Sequence, residues 1–241
     1  MKISNLNRIY FNCTLSKGSI INLNEKYLHY LKNVLRLKIN DQFRIFNGTE
    51  GEFIATIIDI TKNNISINLS DFIRKPTTEV ELTLGLCIIK PDKMIDAINM
   101  AVQLGVTKII PLTSQRSQFK EVNNDRLLKC IIEATEQTER LSPPTLSTTK
   151  LLKRFNKEMN GIIIYANENE SESNSLIKLG NLKSNISLII GPEGGFSDEE
   201  LSIFPLWDNT FSISLGSNIL RTETAVATAL AQIMLIRNMN I

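Results

Sequence analysis

Residues Leu188–Glu200 read LIIGPEGGFSDEE. An apolar run of strand length stops at Gly-Pro-Glu-Gly-Gly and restarts as Ser-Asp-Glu-Glu, the opening of a helix. Gly191, Gly194 and Gly195 permit positive φ and close approach to the main chain, and Pro192 stiffens the turn. Ser197 with Glu200 three positions on forms a capping box. A helix N-terminus attracts phosphate, yet Glu193, Asp198, Glu199 and Glu200 set four carboxylates around this one. The pattern is neither G-x-G-x-x-G nor a phosphate-binding loop with its lysine. A cationic or neutral ligand with an adenine-like face fits better than a di- or triphosphate. Taken alone, the loop is better read as an ordinary strand-to-helix turn.

The surroundings repeat the theme. VELTLGLCIIK, KIIPL, GIIIYA, ISLIIG and FSISLG read as strands. They alternate with helical stretches DKMIDAINMAVQLG, NNDRLLKCIIEATEQTER and RTETAVATALAQIMLI. Continuous apolar strands alternating with helices predict an α/β domain whose parallel sheet is buried on both faces. Ligands in such sheets bind beyond the carboxyl ends of the strands. Two further strand ends carry unusual loops, PLTSQRS after Ile110 and LGSNILRTETA after Ser214. Three such loops together point to a cofactor site. NENESESNS, residues 167–175, reads as an exposed polar loop.

The first third differs. FRIFNG, GEFIATIIDI and NISINLS alternate, with Asn47-Gly48 and Asn63-Asn64 at the breaks. They predict strands joined by turns, in a small barrel with one helix. Tyr27, Leu28, Leu31, Val34 and Leu35 space that helix, and Asn24 is its candidate cap. Pro76 and the adjacent threonines mark a linker. Residues 1–75 hold 11 Lys/Arg against 6 Asp/Glu, whereas residues 76–241 hold 16 against 19. A basic module on a slightly acidic remainder suggests a polyanion-facing surface, with a merely solvated basic face as the alternative.

At 241 residues the chain can bury a sizeable core. Cys13, Cys87 and Cys130 are few and scattered, which fits a reducing compartment; Cys87 and Cys130 read as buried small hydrophobes. His29 is the only histidine, which disfavours zinc hydrolases and His-based triads. AVATALAQIMLI is too short to span a bilayer and no secretory leader is expected, so the chain is expected in the cytoplasm.

IIGPEGGFSDEE together with LGSNILRTETAVATAL resembles the ribosomal small subunit methyltransferase E family, the bacterial 16S rRNA uridine-N3 methyltransferases of the SPOUT class. RIYF at Arg8, HYLKNVLRLKIND at His29, KPDKMIDAINMAVQLGV at Lys90, PLTSQRS at Pro111 and IIEATEQTERLSPP at Ile131 extend the resemblance over nearly the whole chain. It implies a PUA-like β-barrel (residues 1–73) followed by an α/β methyltransferase domain (79–241) whose C-terminal segment forms a trefoil knot. It further implies S-adenosylmethionine held largely by backbone. The implied cofactor residues are Leu112, Ile190, Gly191, Pro192, Glu193, Gly195, Leu215, Gly216, Ile219, Leu220 and Thr224. A homodimer with its active site at the interface is implied as well, and alternating Ala225, Ala227, Ala229 and Ala231 suit close helix packing. Where the family often has Arg, Glu and Glu, this chain has Asn218, Gln103 and Gln115.

Methylating uridine N3 requires an exposed base, loss of the imide proton and in-line approach to the sulfonium methyl. Glu193 is the candidate base or orienting acceptor, with bonding of loop amides as its alternative. Arg221 is the candidate for stabilising charge on the uracil oxygens, with pairing to Glu223 or to a partner subunit as its alternative. Arg8, Arg36, Lys38, Arg116 and Arg140 are the candidate RNA contacts. The expected partner is 16S rRNA in the 30S subunit, with no membrane and no metal. Two competing readings are a SPOUT methyltransferase acting on another RNA and a non-catalytic RNA-binding assembly factor.

Overall fold

A computed structural model describes residues 3–180 and 182–239. The chain forms two compact units. One runs to Thr78 and takes back Thr135–Pro143; the other holds Glu79–Ala134 and resumes at Pro144. Residues 135–143, which the sequence reading placed in the second domain, group with the first compact unit.

The first unit is a five-stranded sheet in the order β1-β3-β4-β5-β2. Its strands are β1 (Arg8–Tyr10), β2 (Ile20–Leu23), β3 (Gln42–Asn47), β4 (Gly51–Ile60) and β5 (Ile65–Arg74). β1 lies parallel to β3 and the other pairings are antiparallel. Register shifts between Glu52/Phe53, Phe53/Ala55 and Ile57/Asp59 bend the long β4–β5 ribbon, since each bulge sharpens local twist. The bend wraps a core of Phe43, Ile45, Ala55, Ile57, Ile67 and Leu69. The expected helix is split: α1 (Glu25–His29) continues as a π-helical turn over Tyr30–Val34, where the Leu35 N–H bonds the Tyr30 carbonyl at 3.0 Å. Leu28 and Leu31 from this element enter the core. The short strands β1 and β2 were not expected, because three or four residues show too little alternation.

Charge inside this unit is arranged differently from the sequence expectation. Glu52 is fully buried and accepts from Arg8 Nε at 2.7 Å and Arg74 Nε at 2.6 Å. Arg44 grips Glu139 with two bonds of 2.9 and 2.7 Å, and Arg74 donates to Glu139 at 3.0 Å. Arg8 also stacks its guanidinium 4.2 Å from the Phe46 ring centre and donates to the carbonyls of Thr135, Glu136 and Arg140. Arg8 is therefore no phosphate contact: it is buried, and its nitrogens are spent inside the unit. Three of the eleven cations counted in the basic third belong to this cluster, so the charge available to a polyanion is smaller than composition suggests.

The second unit is built on a parallel sheet in the order β12-β10-β11-β6-β7-β8, with β9 also beside β7. Its strands are β6 (Leu82–Cys87), β7 (Lys108–Thr113), β8 (Thr145–Leu146), β9 (Lys150–Leu151), β10 (Ile162–Ala166), β11 (Ile186–Ile190) and β12 (Thr210–Ile213). β6 and β11 are buried at every residue, as expected of strands covered on both faces. Alternate side chains serve two cores. Leu84, Leu86, Leu188 and Ile190 pack with α2 (Pro91–Gln103), α3 (Asn124–Gln137) and α5 (Thr222–Asn238). Cys87, Ile110, Leu112 and Ile189 face an aromatic cluster of Phe155, Tyr165, Phe196, Phe204 and Trp207. Gly85 is required by that cluster, since a Cβ there would lie 2.7 Å from the Phe155 ring. Burial pushes the Cys87 thiol up to about 12, which makes it a packing group and not a nucleophile. Among the described residues no helix is long and apolar enough to cross a membrane.

The cluster around Glu139 sets an acid sensitivity. The hydrogen bond from Arg44 lowers the Glu139 carboxyl below its ordinary value, with Arg8, Arg44 and Arg74 adding attraction against partial burial. A folded-state pKa below the unfolded one gives stabilisation that is full above the ordinary carboxylate range and disappears as pH falls through the lowered value. We expect the urea midpoint of the wild type to fall on acidification below about pH 5, and Glu139→Gln to flatten that dependence while lowering the midpoint at neutral pH. A wild-type and a Glu139→Gln profile of the same shape would dismiss the assignment.

Candidate cofactor site

The carboxyl ends of β10, β11 and β12 open into one cleft with about 670 Å³ of free space, its mouth included. β11 delivers Ile190, Gly191, Pro192 and Gly195; β12 delivers Leu215, Gly216 and Asn218, followed by Leu220. Thr222 and Ala225 close the side formed by the start of α5, and the Thr222 hydroxyl donates to the Gly191 carbonyl at 3.2 Å. The third wall was not foreseen. Ala166, Asn167, Glu168 and Asn169, the beginning of the stretch read as a plain exposed loop, line the cleft. Their position directly after a parallel strand was the available signal.

The glycine loop is held from outside the cleft. Ser197 caps α4 (Asp198–Ile203) by accepting the Glu200 N–H at 3.1 Å, and the Glu200 carboxylate takes the Ser197 N–H at 3.0 Å, completing the expected box. The other Glu200 oxygen accepts the Gln115 N–H at 2.8 Å from the loop after β7. The Gln115 side chain bonds Glu199. Arg116 donates through one nitrogen to the carbonyls of Gly194 at 3.2 Å and Phe196 at 2.9 Å. Arg116 thus positions the loop, while remaining exposed.

Other expected residues stand apart. Leu112 is fully buried under the sheet in the aromatic core and does not line the cleft. Ile219 is 82% exposed and Thr224 is exposed; neither is in the lining. Glu193 is exposed, and one oxygen meets the Lys90 N–H at a long 3.4 Å. Arg221 sits at the N-cap of α5 with an exposed side chain. Its suggested partner Glu223 is taken by Lys93 at 3.3 Å. Arg36 and Lys38 are exposed, and among the described residues neither has an ion pair. Arg140 is half-buried in the first unit, its carbonyl accepting from Arg8.

The cleft suits S-adenosylmethionine on its own chemistry. Its floor of Ile190, Phe196, Leu201, Leu215 and Leu220 offers apolar faces to an adenine, and among the described residues no lysine or arginine lines it to repel a sulfonium. Gly195 has φ 66°, and a Cβ there would sit 2.9 Å from a Glu168 carboxylate oxygen, inside the space a ligand needs. Gly195→Val carries both the left-handed strain of a β-branched residue and that intrusion. We expect it to weaken S-adenosylmethionine binding by at least about tenfold in calorimetry, given a strain and contact cost above about 1.4 kcal/mol. Wild-type affinity in a folded Gly195→Val protein would rule out this cleft.

Comparison with known proteins agrees with this geometry. A family model described as an RNA methyltransferase domain matches residues 76–234, and one described as an RNA methyltransferase PUA domain matches residues 23–70. A Rickettsia conorii protein named ribosomal RNA small subunit methyltransferase E is 52% identical over 233 residues, 95% of this chain and 96% of its own. A Buchnera aphidicola (subsp. Schizaphis graminum) protein of the same name is 31% identical, covering 95% of each chain. A Legionella pneumophila structure in complex with the cofactor SAM superposes with a TM-score of 0.88 at 29% identity, over 96% of this chain and 98% of that one. A Neisseria gonorrhoeae ribosomal RNA small subunit methyltransferase E shares the fold at 24% identity, with a TM-score of 0.84 over 96% and 98% of the two chains. With one domain model filling most of the sequence and relatives aligned almost end to end, the chain belongs to the ribosomal RNA small subunit methyltransferase E family.

Proposed function

We propose that this chain transfers a methyl group from S-adenosylmethionine to N3 of a uridine in 16S rRNA, on the assembled 30S subunit and as a homodimer. The observation that carries the reading is the cleft at the ends of β10, β11 and β12. It presents glycine-rich main chain over an apolar floor without a cation, a lining for a sulfonium nucleoside and not for nucleotide phosphates. When bound, the cofactor supplies an electrophilic methyl group on sulfur.

The chain's own residues have the remaining tasks. The uridine imide must lose its proton from an unpaired base. Glu193 projects from the glycine loop with only its one long contact, which leaves a carboxylate to accept or orient that proton. Arg221 has no side-chain partner among the described residues and offers a cation to charge building on the uracil oxygens. Arg36, Lys38, Arg116 and Arg140 are the proposed RNA contacts; Arg8 is withdrawn. Leu112, Ile219 and Thr224 do not line the cleft, so the cofactor set proposed here is the lining residues. The segment leading into α5 is proposed to form the trefoil knot that the family resemblance implies.

The dimer proposal needs a revised surface. Ala225 and Ala229 are in the core, whereas Ala231 is exposed and Ala227 half-exposed. The free stripe of α5 is Ala227, Thr228, Ala231 and Leu235, at helical spacing. A charge at Ala229 would damage the core; Ala231→Glu is the informative change.

The decisive assay offers 30S subunits lacking the modification, naked 16S rRNA and tRNA, with the product nucleoside identified. We expect 3-methyluridine, formed best on the particle. Equal labelling of naked rRNA would remove the particle requirement, and a preference for tRNA would favour a different RNA target. Ala231→Glu should sediment as a folded monomer without methyl transfer; an active monomer would refute the dimer requirement. Glu193→Gln and Arg221→Met should each lower turnover with cofactor affinity within about twofold of wild type, as groups acting in the transition state do. Unchanged turnover in either variant would return that residue to a structural role.

A further inference from the structure

Among the described residues, Glu168 is the one ionisable side chain in the lining of the cofactor cleft. It is carried by the loop after β10, and its carboxylate stands over Gly195, with one oxygen 2.9 Å from where a Cβ would project. Among the described residues it has no hydrogen-bond or ion-pair partner, in contrast to Glu170 two positions on, which accepts from the Ser171 N–H and the Asn174 side chain. Glu200 and Glu223 are likewise committed, to loop amides and to Lys93. An unpaired carboxylate over an apolar floor is a charge with nothing of the protein's own to neutralise it.

We propose that Glu168 is a charge-selecting residue that makes the cleft favour the cationic methyl donor over its demethylated product. The inference rests on the cofactor reading given under Proposed function. S-adenosylmethionine carries a sulfonium, an ammonium and a carboxylate, and is net cationic. S-adenosylhomocysteine keeps the ammonium, the carboxylate, the ribose and the adenine but has a neutral thioether. Methyl transfer leaves the carbon–sulfur bond pair on sulfur, so the one feature that changes inside the cleft is the positive charge. With Glu168 the sole charge of the lining, the donor is attracted in full and the product loses that attraction. Glu168 is exposed, so solvent and salt screen part of the attraction and it acts as a partly screened charge pair. Turnover thereby weakens the hold on the spent cofactor without any movement of the loops.

The test is calorimetric binding of S-adenosylmethionine and S-adenosylhomocysteine, separately, to the wild type and to Glu168→Gln. Glutamine keeps the size and the acceptor oxygen of the side chain, and the exposed, unpartnered position makes the variant foldable. We expect Glu168→Gln to weaken the donor by about tenfold and the product by less than about twofold, a difference of the size one partly screened charge pair supplies. The donor-to-product affinity ratio of the wild type should also fall with added salt, and that of Glu168→Gln should not. Equal weakening of both ligands would mean that Glu168 bonds a group they share, the ribose or the ammonium, and would overturn charge selection while leaving the cofactor site in place. Unchanged binding of both would overturn it as well. Failure of the wild type to bind either ligand would instead overturn the cofactor reading itself.

Discussion

One buried carboxylate governs the shape of the site. Glu200 divides its two oxygens between the Ser197 and Gln115 amides, and its own N–H completes the cap on Ser197. It therefore fixes where α4 begins after β11 and where the loop after β7 lies against it. Hydrogen bonds to a charged acceptor are stronger than neutral ones, and stranding buried donors costs more than the bonds contribute. The Gly191–Gly195 loop can consequently carry almost no side chain and still hold one conformation. Its rigidity is supplied from behind, by Glu200 and Arg116, and its front stays open to a ligand. Preorganisation of this kind lowers the ordering cost of binding.

Much of the second unit was legible because its physics is local. Strands buried on both faces show as unbroken apolar runs, and glycine, proline and the Ser197–Glu200 pair announce the loop and cap within thirteen residues. What escaped has two causes. The stretch after β10 was judged by composition, and polar composition says nothing about which side of a strand end a loop covers. The alternating alanines of α5 were read at a spacing of two, which places successive residues on opposite sides of a helix. That is why Ala229 is in the core and Ala231 faces outward.

The first unit shows a different limit. Arg8, Arg36 and Lys38 look alike in a sequence, yet one is sealed against Phe46 and Glu52 while the others are exposed. The distinction depends on partners 44 and 131 positions away in the chain, Glu52 by hydrogen bond and Glu139 at 3.6 Å. No local pattern reports such a pairing. The π-helical turn after α1 is similar: its residues have ordinary helical spacing, yet the turn carries an extra residue and buries Leu31 in the core.

The return of Thr135–Pro143 to the first unit bears on how the protein is made. A ribosome releases the barrel strands long before Glu139 exists, so Arg44 waits without its main carboxylate partner and Arg8 without the carbonyls it donates to. Domains usually mature in the order of their synthesis. Here the amino-terminal unit stays incomplete until more than half of the chain has emerged, and β6, α2 and β7 are already available by then. Contacts of such long sequence separation slow folding. The first unit therefore depends for its completion on a segment made after β6, α2 and β7.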